Sequence, residues 1–237
     1  TSSAPSRGIG TTSARRIRRS FDATDGSNRP SRGHMKEDAM DDKQLTELVL
    51  QSLEHELGGV KLYEAAIACA VNPDLKQEWQ EYLEQTRNHV RVLETLCGAL
   101  GLDPKVETSG RKVVRHVGGA LVEAIQLARE GGDPAAAQIV ACECVVLAET
   151  KDHADWQLIG KCALGSDGKR ATALRQAYDE IEDEEDEHLY HTKGWCRELW
   201  VQSLGMNAVL PPPEEIQNVK TAIGAARAEQ AAEKARM

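Results

Sequence analysis

A carboxylate and an imidazole, Glu185 and His188, interrupt an otherwise apolar face of a predicted helix over residues 178–199. That face carries, at steps of three and four residues, Ile181, Glu185, His188, Thr192, Trp195 and Leu199. Such steps keep residues on one side of a helix because each residue advances it by about 100°. A buried carboxylate is costly unless it is paired or bound to a metal ion. The Glu-x-x-His spacing therefore predicts either a metal-binding pair or a buried hydrogen-bonded pair.

Polar interruptions at a similar depth occur in three further amphipathic segments of the chain. Glu56 interrupts the first segment, His89 the second and Glu149 the third. His153 follows Glu149 by one turn and is an additional candidate ligand. Together with the first pair, these side chains could offer carboxylate oxygens and imidazole nitrogens to one or two divalent cations. A buried polar network without metal is the alternative interpretation of the same pattern.

The polar interruptions recur between the two halves of the sequence, which indicates an internal repeat. The matched pairs are Glu56 with Glu149, Thr86 with Glu185, and His89 with His188. Chance apolar periodicity would not reproduce the polar positions as well as the apolar ones. Thr86 leaves the first half short of one carboxylate, which is a strong ligand for hard divalent cations. We therefore expect the half with Glu149, Glu185 and His188 to bind a metal ion more tightly.

Four long helices must position these residues, and a shorter one connects them. The expected long helices span residues 42–71, 75–100, 134–164 and 168–204, and a short crossover helix lies near 112–130. Short links between the first and second helices, and between the third and fourth, make those neighbours antiparallel. The sequence thus predicts an all-α fold, an antiparallel four-helix bundle in which a long connection joins the second helix to the third.

Composition divides the chain into three regions. Residues 1–40 form a predicted disordered basic arm, because they are rich in Arg, Ser and Gly and show no periodicity. Residues 41–205 hold the bundle, and residues 206–237 hold a proline-rich linker and an alanine-rich C-terminal helix. The net charge of -9 argues against binding to nucleic acid, apart from weak contacts through four arginines of the arm. These are Arg15, Arg16, Arg18 and Arg19.

The sequence lacks the patterns that direct a chain into or across a membrane. No apolar run reaches the roughly 18–20 residues that span a bilayer, and no signal-peptide core is visible. All six cysteines fall within predicted helices, where reduced thiols are the simpler interpretation. We therefore expect a cytoplasmic protein that does not bind membranes.

Residues 42–203 resemble the ferritin-like superfamily, and within it the rubrerythrin-related bacterial stress proteins of the YciE/YciF type. The resemblance is carried by Glu56 with Tyr63, by Glu149, and by the segments EQTRNHVRVL (84–93), VVRHVGGALVEAIQLA (113–128) and EEDEHL (184–189). In that arrangement two helices each supply one Glu and the other two each supply a Glu-x-x-His motif. Thr86 departs from this pattern, since it stands where the motif of the second helix has its glutamate.

The resemblance implies a metal centre that holds iron or manganese, at one or two ions per chain. The ligands that it implies are Glu56, His89, Glu149, Glu185 and His188, with His153 as the additional candidate. The activity that it implies is an oxidoreductase of the ferroxidase or peroxidase type, which reacts with dioxygen or peroxide in stress defence. The alternative is a non-catalytic oligomeric bundle with a degenerate metal site, which acts as a stress or scaffold protein.

A homodimer or higher oligomer is expected under both interpretations. The resemblance implies it, and apolar residues outside the predicted core faces give a second reason. These residues are Leu48, Val49, Val92, Val145 and Leu147.

Overall fold

The computed structural model describes residues 40–236, and within that range it contains seven helices and no β-strand. The helices are α1 (Asp42–Cys69), α2 (Pro73–Leu100), α3 (Ser109–Glu130), α4 (Pro134–Leu164), α5 (Gly168–Ser203), α6 (Pro213–Ile216) and α7 (Ala222–Arg236). The four long helices and the crossover helix are therefore confirmed, with ends within three residues of those expected. The predicted basic arm, including its four arginines, lies outside the described residues apart from Met40.

Capping residues determine where the long helices begin. The Asp41 carboxylate accepts hydrogen bonds from two backbone N–H groups in the first turn of α1. Asn72 and Asp133 do the same for α2 and α4, and a proline follows each of them at the first helical position. Proline suits that position because its φ is already helical and its missing N–H has no partner to lose. The helix α2 ends at Gly101, whose φ of 71° is readily adopted only by glycine.

The four long helices contact one another in a ring: α1 packs against α2 and α4, and α5 packs against the same two helices. Tyr63 contacts Glu149, whereas the earlier residue Glu56 contacts the later residue Trp156, so α1 and α4 run antiparallel. The same reversal of residue order holds between α1 and α2, between α2 and α5, and between α4 and α5. Each long helix is therefore antiparallel to both of its neighbours.

The connection from α2 to α4 is anchored by a buried ion pair. This connection contains α3, which packs along α1 and α4. The Arg111 guanidinium donates hydrogen bonds of 3.0 and 2.7 Å to Glu54 Oε2, and both residues are buried. Arg115 adds bonds of 2.6 and 2.8 Å to the same carboxylate. Bidentate arginine–carboxylate pairs hold both position and angle, so this network fixes α3 against α1.

Two apolar clusters divide the interior of the bundle, and a polar layer lies between them. One cluster is centred on Tyr63, Trp79 and Trp195. The other contains Leu50 and Trp156 among its buried residues. Water-excluding clusters on both sides place the polar layer in a low-dielectric environment, in which electrostatic interactions between its side chains are strong.

The C-terminal tail packs against α5. The Glu214 carboxylate accepts hydrogen bonds of 2.6 and 3.0 Å from Arg197. Glu198 is fully buried, accepts a bond of 2.9 Å from the backbone N–H of Val209, and pairs with Arg236. Ala228 and Ala232 of α7 are also buried. The predicted alanine-rich helix is thus present and belongs to the same compact unit as the bundle.

The apolar residues that suggested an oligomer are mostly covered by the chain itself. Val49 and Val145 are completely buried, whereas Leu147 is 62% exposed. Self-association therefore stays a prediction, with a smaller apolar surface available for it than the sequence indicated. None of the helices within residues 40–236 combines the length and the apolar character that a membrane crossing requires.

Candidate metal centre

Five of the predicted ligands meet in the polar layer between the two apolar clusters. The five residues, Glu56, His89, Glu149, Glu185 and His188, are each exposed by 4% or less. Each comes from the middle of a different long helix or, for Glu185 and His188, from one turn of α5. The sequence pattern that placed them on apolar helical faces therefore identified a real cluster.

Glu185 lies between the two imidazoles. Its Oε1 atom is 2.9 Å from His89 Nδ1 and 3.9 Å from His188 Nδ1. His89 Nδ1 is also 3.4 Å from Glu56 Oε1, and His188 Nδ1 is 3.7 Å from Glu149 Oε2. The structure thus groups the candidate ligands differently from the expected tight half-site, because Glu185 faces both halves rather than the second alone.

Asp152 completes the cluster, although it was not among the ligands predicted from the sequence. It is 4% exposed, and it forms one potential ligand group with Glu56 and Glu185. His153, the neighbouring candidate, is half-buried instead and lies 3.2 Å from Asp186 Oδ1 and 2.8 Å from the side chain of Gln157. Neither potential ligand group among the described residues includes His153. The available signal was spacing, because Asp152 follows its glutamate by three residues as His188 follows Glu185.

The cluster contains buried polar atoms that no hydrogen bond satisfies. These atoms are Glu56 Oε2, His89 Nδ1, Glu149 Oε2, Asp152 Oδ1 and both carboxylate oxygens of Glu185. His89 Nδ1 and Glu185 Oε1 are close, but their geometry does not make a hydrogen bond. Each orphaned buried group costs free energy on the order of 1–3 kcal/mol, and more when charged. Six such atoms lie in one layer, and a bound cation could satisfy the carboxylate oxygens and the imidazole nitrogen among them.

Outer hydrogen bonds orient both imidazoles. His89 Nε2 is 2.8 Å from Glu184 Oε2, and His188 Nε2 is 2.8 Å from Gln85 Oε1. Both partners are oxygen acceptors, so each Nε2 carries the proton that is donated. In a neutral ring the lone pair is then on Nδ1, which faces the carboxylates. A partner of this kind fixes the tautomer and orientation of a metal-binding histidine.

Two aromatic side chains hold the carboxylates of the opposite helix. The Tyr63 hydroxyl on α1 donates a hydrogen bond of 2.7 Å to Glu149 Oε1 on α4. Trp156 Nε1 on α4 donates one of 2.9 Å to Glu56 Oε1 on α1. Tyr63 follows Glu56 by seven residues and Trp156 follows Glu149 by seven, so the internal repeat that matches the two glutamates also matches the two aromatic residues. Each glutamate keeps its second oxygen free to face the centre.

The environment shifts the pKa values of the two histidines upwards. Burial alone would lower the pKa of His89, but Glu56, Glu184 and Glu185 outweigh it and hold that pKa well above its usual range. Burial is likewise outweighed for His188, whose pKa is raised chiefly by Glu149.

The pKa values of the buried carboxylic acids shift in opposite directions. Burial raises the pKa of Glu185 to about 7, with Glu56 and Glu149 opposing His89 in that effect. Burial and the charge of Glu185 raise the pKa of Asp152 well above its usual range. Burial also acts to raise the pKa of Glu149, but hydrogen bonding to His188 outweighs it and that pKa is lowered. The layer therefore carries more acid than it can ionise alone, which a bound cation would relieve.

Thr86 contributes no oxygen to the centre. It is 3% exposed, and its hydroxyl donates a hydrogen bond of 2.8 Å to the backbone carbonyl of Tyr82. Its methyl carbon would lie 3.2 Å from a Cβ atom added at Gly59. The small residues at positions 59 and 86 therefore fill one side of the layer without polar groups.

The ligand atoms form two potential groups that share Glu185. One group consists of His89, Glu185 and His188, and the other of Glu56, Asp152 and Glu185; within each, the atoms lie within 4.8 Å of one another. Imidazole and carboxylate ligands suit iron, manganese and related divalent metals. The groups hold three carboxylates, and the predicted ligand Glu149 lies beside His188 but outside both groups. With Glu149 included, four carboxylates would balance the charge of two divalent cations. The residues present therefore fit a metal centre.

A second polar cluster lies one turn further along α5 and contains His191, which is 5% exposed. Its Nδ1 atom is 3.0 Å from the Tyr82 hydroxyl and 3.3 Å from Glu78 Oε1. Trp195 Nε1 also donates to Glu78. The charged partner that accompanies His191 in the interior, Glu78, lies on the neighbouring helix α2. The position of His191 on its own helix does not reveal this partner.

Comparisons of the chain with protein-family models, with curated proteins and with solved structures found no significant match to any of them.

Proposed function

We propose that this chain is a ferritin-like protein with a di-metal carboxylate centre, and that it is an oxidoreductase acting on dioxygen or peroxide with iron or manganese. The pairing of antiparallel helices and the long connection from α2 to α4 support a ferritin-like arrangement. The observation that carries the proposal is the convergence of four carboxylates and two imidazoles with six unsatisfied buried atoms.

The residues of the chain would act together to hold and isolate the cation. Glu56, Asp152, Glu185 and both Nδ1 atoms offer the ligands. Glu184 and Gln85 orient the imidazoles, and the two apolar clusters exclude water from both sides. Bound iron would supply the one-electron redox chemistry that carboxylate and imidazole side chains lack.

Proton balance gives Glu185 a specific role. Its raised pKa of about 7 means that it is partly protonated near neutral pH in the metal-free protein. A cation must displace that proton before Glu185 can act as a ligand in either of the two groups that share it. Metal binding should therefore release protons from Glu185 and Asp152, and also from His89 and His188, whose raised pKa values favour the protonated imidazole in the metal-free protein.

Metal titration of chelator-free protein tests the proposal. Calorimetry with Mn²⁺, and with Fe²⁺ under anaerobic conditions, should show at least one tight site per chain, with proton release that varies with the ionisation enthalpy of the buffer. Air or peroxide added to the Fe²⁺-loaded protein should then change its near-ultraviolet absorbance in a time-resolved experiment. The absence of divalent metal binding would refute the proposal.

The alternative function is that of a non-catalytic oligomeric stress or scaffold protein. It is favoured by the internal pairing already present, since Tyr63 and Trp156 each satisfy one glutamate oxygen and Thr86 supplies no ligand. This interpretation predicts weak metal binding and no reaction of a loaded protein with peroxide. Sedimentation at micromolar concentration would test the homodimer or higher oligomer that we propose in either case.

A further inference from the structure

An apolar pocket lies on the outer side of the groove between α1 and α4, beneath α3. Its volume is about 360 Å³. The apolar side chains that line it are Leu62, Val113, Val114, Val117, Leu121 and Leu147. Val113, Val117 and Leu147 are 50–62% exposed, so their apolar surface is incompletely covered by the rest of the chain. A pocket of this size with mainly apolar walls is typical of small-molecule sites.

Three glycines create this space. Gly58 and Gly59 of α1 and Gly118 of α3 all line the pocket. A Cβ atom added at Gly58 would meet no other atom within 4 Å, and one added at Gly118 would meet only the α-carbon of Gly58, at 3.9 Å. Glycine inside a helix costs about 1 kcal/mol relative to alanine, so two neighbours in the middle of α1 need a reason. The pocket supplies one for Gly58.

The charged groups at the rim already have partners. Glu54 accepts hydrogen bonds from Arg111 and Arg115, and Lys151 pairs with Asp155. An ionic ligand would have to break one of these pairs or remain unpaired in an apolar environment, which is costly. The pocket is therefore complementary to a neutral molecule. An apolar cavity of about 150 Å³ holds benzene, so this volume admits a one-ring or two-ring compound.

The wall between the pocket and the candidate metal centre is thin. His55 lines the pocket, and its Nε2 atom lies 4.0 Å from Asp152 Oδ2. Its Nε2 nitrogen is also 3.1 Å from the carbonyl oxygen of Ala148 and donates a hydrogen bond to it when protonated, which fixes the ring in the wall. Gly59 lines the pocket as well, and its side facing the centre carries no side chain, opposite Thr86. A molecule in the pocket would lie one side-chain layer from the ligands.

We propose that this pocket binds a small neutral apolar molecule and holds it beside the polar layer. Binding itself requires only the pocket. Its use as a substrate or access site for the metal centre rests on the proposed function above.

Toluene is a suitable probe, and NMR can locate it. Titration of toluene into full-length, metal-free protein with ¹³C-labelled methyl groups should give saturable shifts of Val113, Val117, Leu121 and Leu147. Gly58→Leu should fill the pocket and weaken toluene binding at least tenfold. The matched control is Gly98→Leu, because a Cβ atom at this exposed helical glycine also meets nothing within 4 Å. Both variants gain helix propensity, so their thermal midpoints should not fall.

The outcomes separate the two proposals. Shifts that do not saturate, or that spread over the whole surface, would overturn the pocket, as would equal weakening by Gly98→Leu. A thermal midpoint lowered only in Gly58→Leu would show that no space exists at this position, which also contradicts the proposal. Mn²⁺ titration of the same samples reports on the metal centre alone. Toluene binding without Mn²⁺ binding would retain the pocket and refute the proposed function.

Discussion

The two helix pairs contribute unequally to the polar layer although the sequence repeat relates them. The pair α4–α5 supplies three carboxylates, from Glu149, Asp152 and Glu185, whereas α1–α2 supplies only Glu56. The positions in α1–α2 that match Asp152 and Glu185 are Gly59 and Thr86, which contact each other as small groups. The imidazoles remain equally divided, with His89 in one pair and His188 in the other.

This difference leaves the layer with four carboxylates although position 86 carries none. The carboxylate missing at position 86 is offset by Asp152, which approaches from the opposite side of the layer. Under the proposed function, the layer offers the ligand types of a di-metal site in a less symmetric arrangement. The two potential groups would then be unequal metal positions, one rich in imidazole and one formed by carboxylates only. Hard cations should prefer the second position.

Removal of Glu185 should have the largest effect on metal binding. Glu185→Gln keeps the shape but removes the charge that both potential groups share. Changes to outer partners alone cost about 10–100-fold in metal affinity, so loss of a shared ligand should cost more than about 100-fold. Calorimetric titration with Mn²⁺ measures it, and Glu180→Gln, at an exposed site on the same helix, is the control. Unchanged affinity in Glu185→Gln would contradict the central place of this residue.

Asp152 and the adjacent His153 allow a direct test of which of them is a ligand. Asp152→Asn should weaken Mn²⁺ binding by about 10–100-fold, because an amide oxygen carries no charge to balance a cation. His153→Gln should change the Mn²⁺ affinity by less than about twofold, since the His153 ring pairs with Asp186 and belongs to neither potential ligand group. The reverse order of effects would restore the ligand that the sequence indicated and remove Asp152 from the centre.

The sequence predicted the elements of the fold because its signals for them are local. The helix starts after Asp41 and Asp133 follow from capping chemistry, whereas the Asn72 cap begins α2 two residues before its predicted start. The polar interruptions of apolar stripes give the five buried candidate ligands. Asp152 was missed because residues three and four after Glu149 both lie near its face, about 60° to one side and 40° to the other. Helix rotation, set by packing against α1 and α5, decides between them.

Partners between distant segments left no pattern in the sequence. Glu184 precedes the predicted ligand Glu185, and Gln85 precedes Thr86; both lie off the apolar stripes of their helices. Each reaches an imidazole on the neighbouring helix only because α2 and α5 run antiparallel at that register. Cross-helix register is a property of the packed bundle, and a single helical period does not encode it.

Acidity offers a third test of the polar layer, in protein freed of metal by chelation. His89 and His188 have raised pKa values, so they stabilise the fold below their unfolded pKa and lose that effect as pH rises through the folded pKa. The pKa of Glu185 is raised to about 7, so this group binds more protons when folded and stability again falls between about pH 4.5 and 7. The pKa of Asp152 is also raised, so its contribution to stability likewise falls as the pH rises.

The free energy of unfolding of metal-free protein should therefore fall from pH 5 to pH 8, by on the order of a few kcal/mol. Urea unfolding at intervals of one pH unit measures this free energy. With Mn²⁺ present the trend should weaken or reverse, because metal competes with protons and binds better at higher pH. Glu185→Gln should flatten the metal-free profile. Stability that rises over this range without metal would show that the carboxylates are not held protonated in the layer.

The smallest expected effect comes from the one outer difference between the imidazoles, a carboxylate on His89 and an amide on His188. Glu184→Gln makes the two partners alike and keeps an oxygen acceptor for His89 Nε2. Because Glu184 is partly exposed and its charge is screened, the change should lower Mn²⁺ affinity by about tenfold or less.

Histidine NMR distinguishes this charge effect from a loss of structure. Glu184→Gln should lower the pKa of His89, because one of the carboxylates that raise it is removed, and should leave the pKa of His188 nearly unchanged. Gln85→Glu is the reciprocal variant, and it should raise the pKa of His188 by placing a carboxylate at its Nε2. If either substitution moves both imidazoles equally, the outer partners are not specific to one half, and the inequality of the two helix pairs resides in the carboxylates alone.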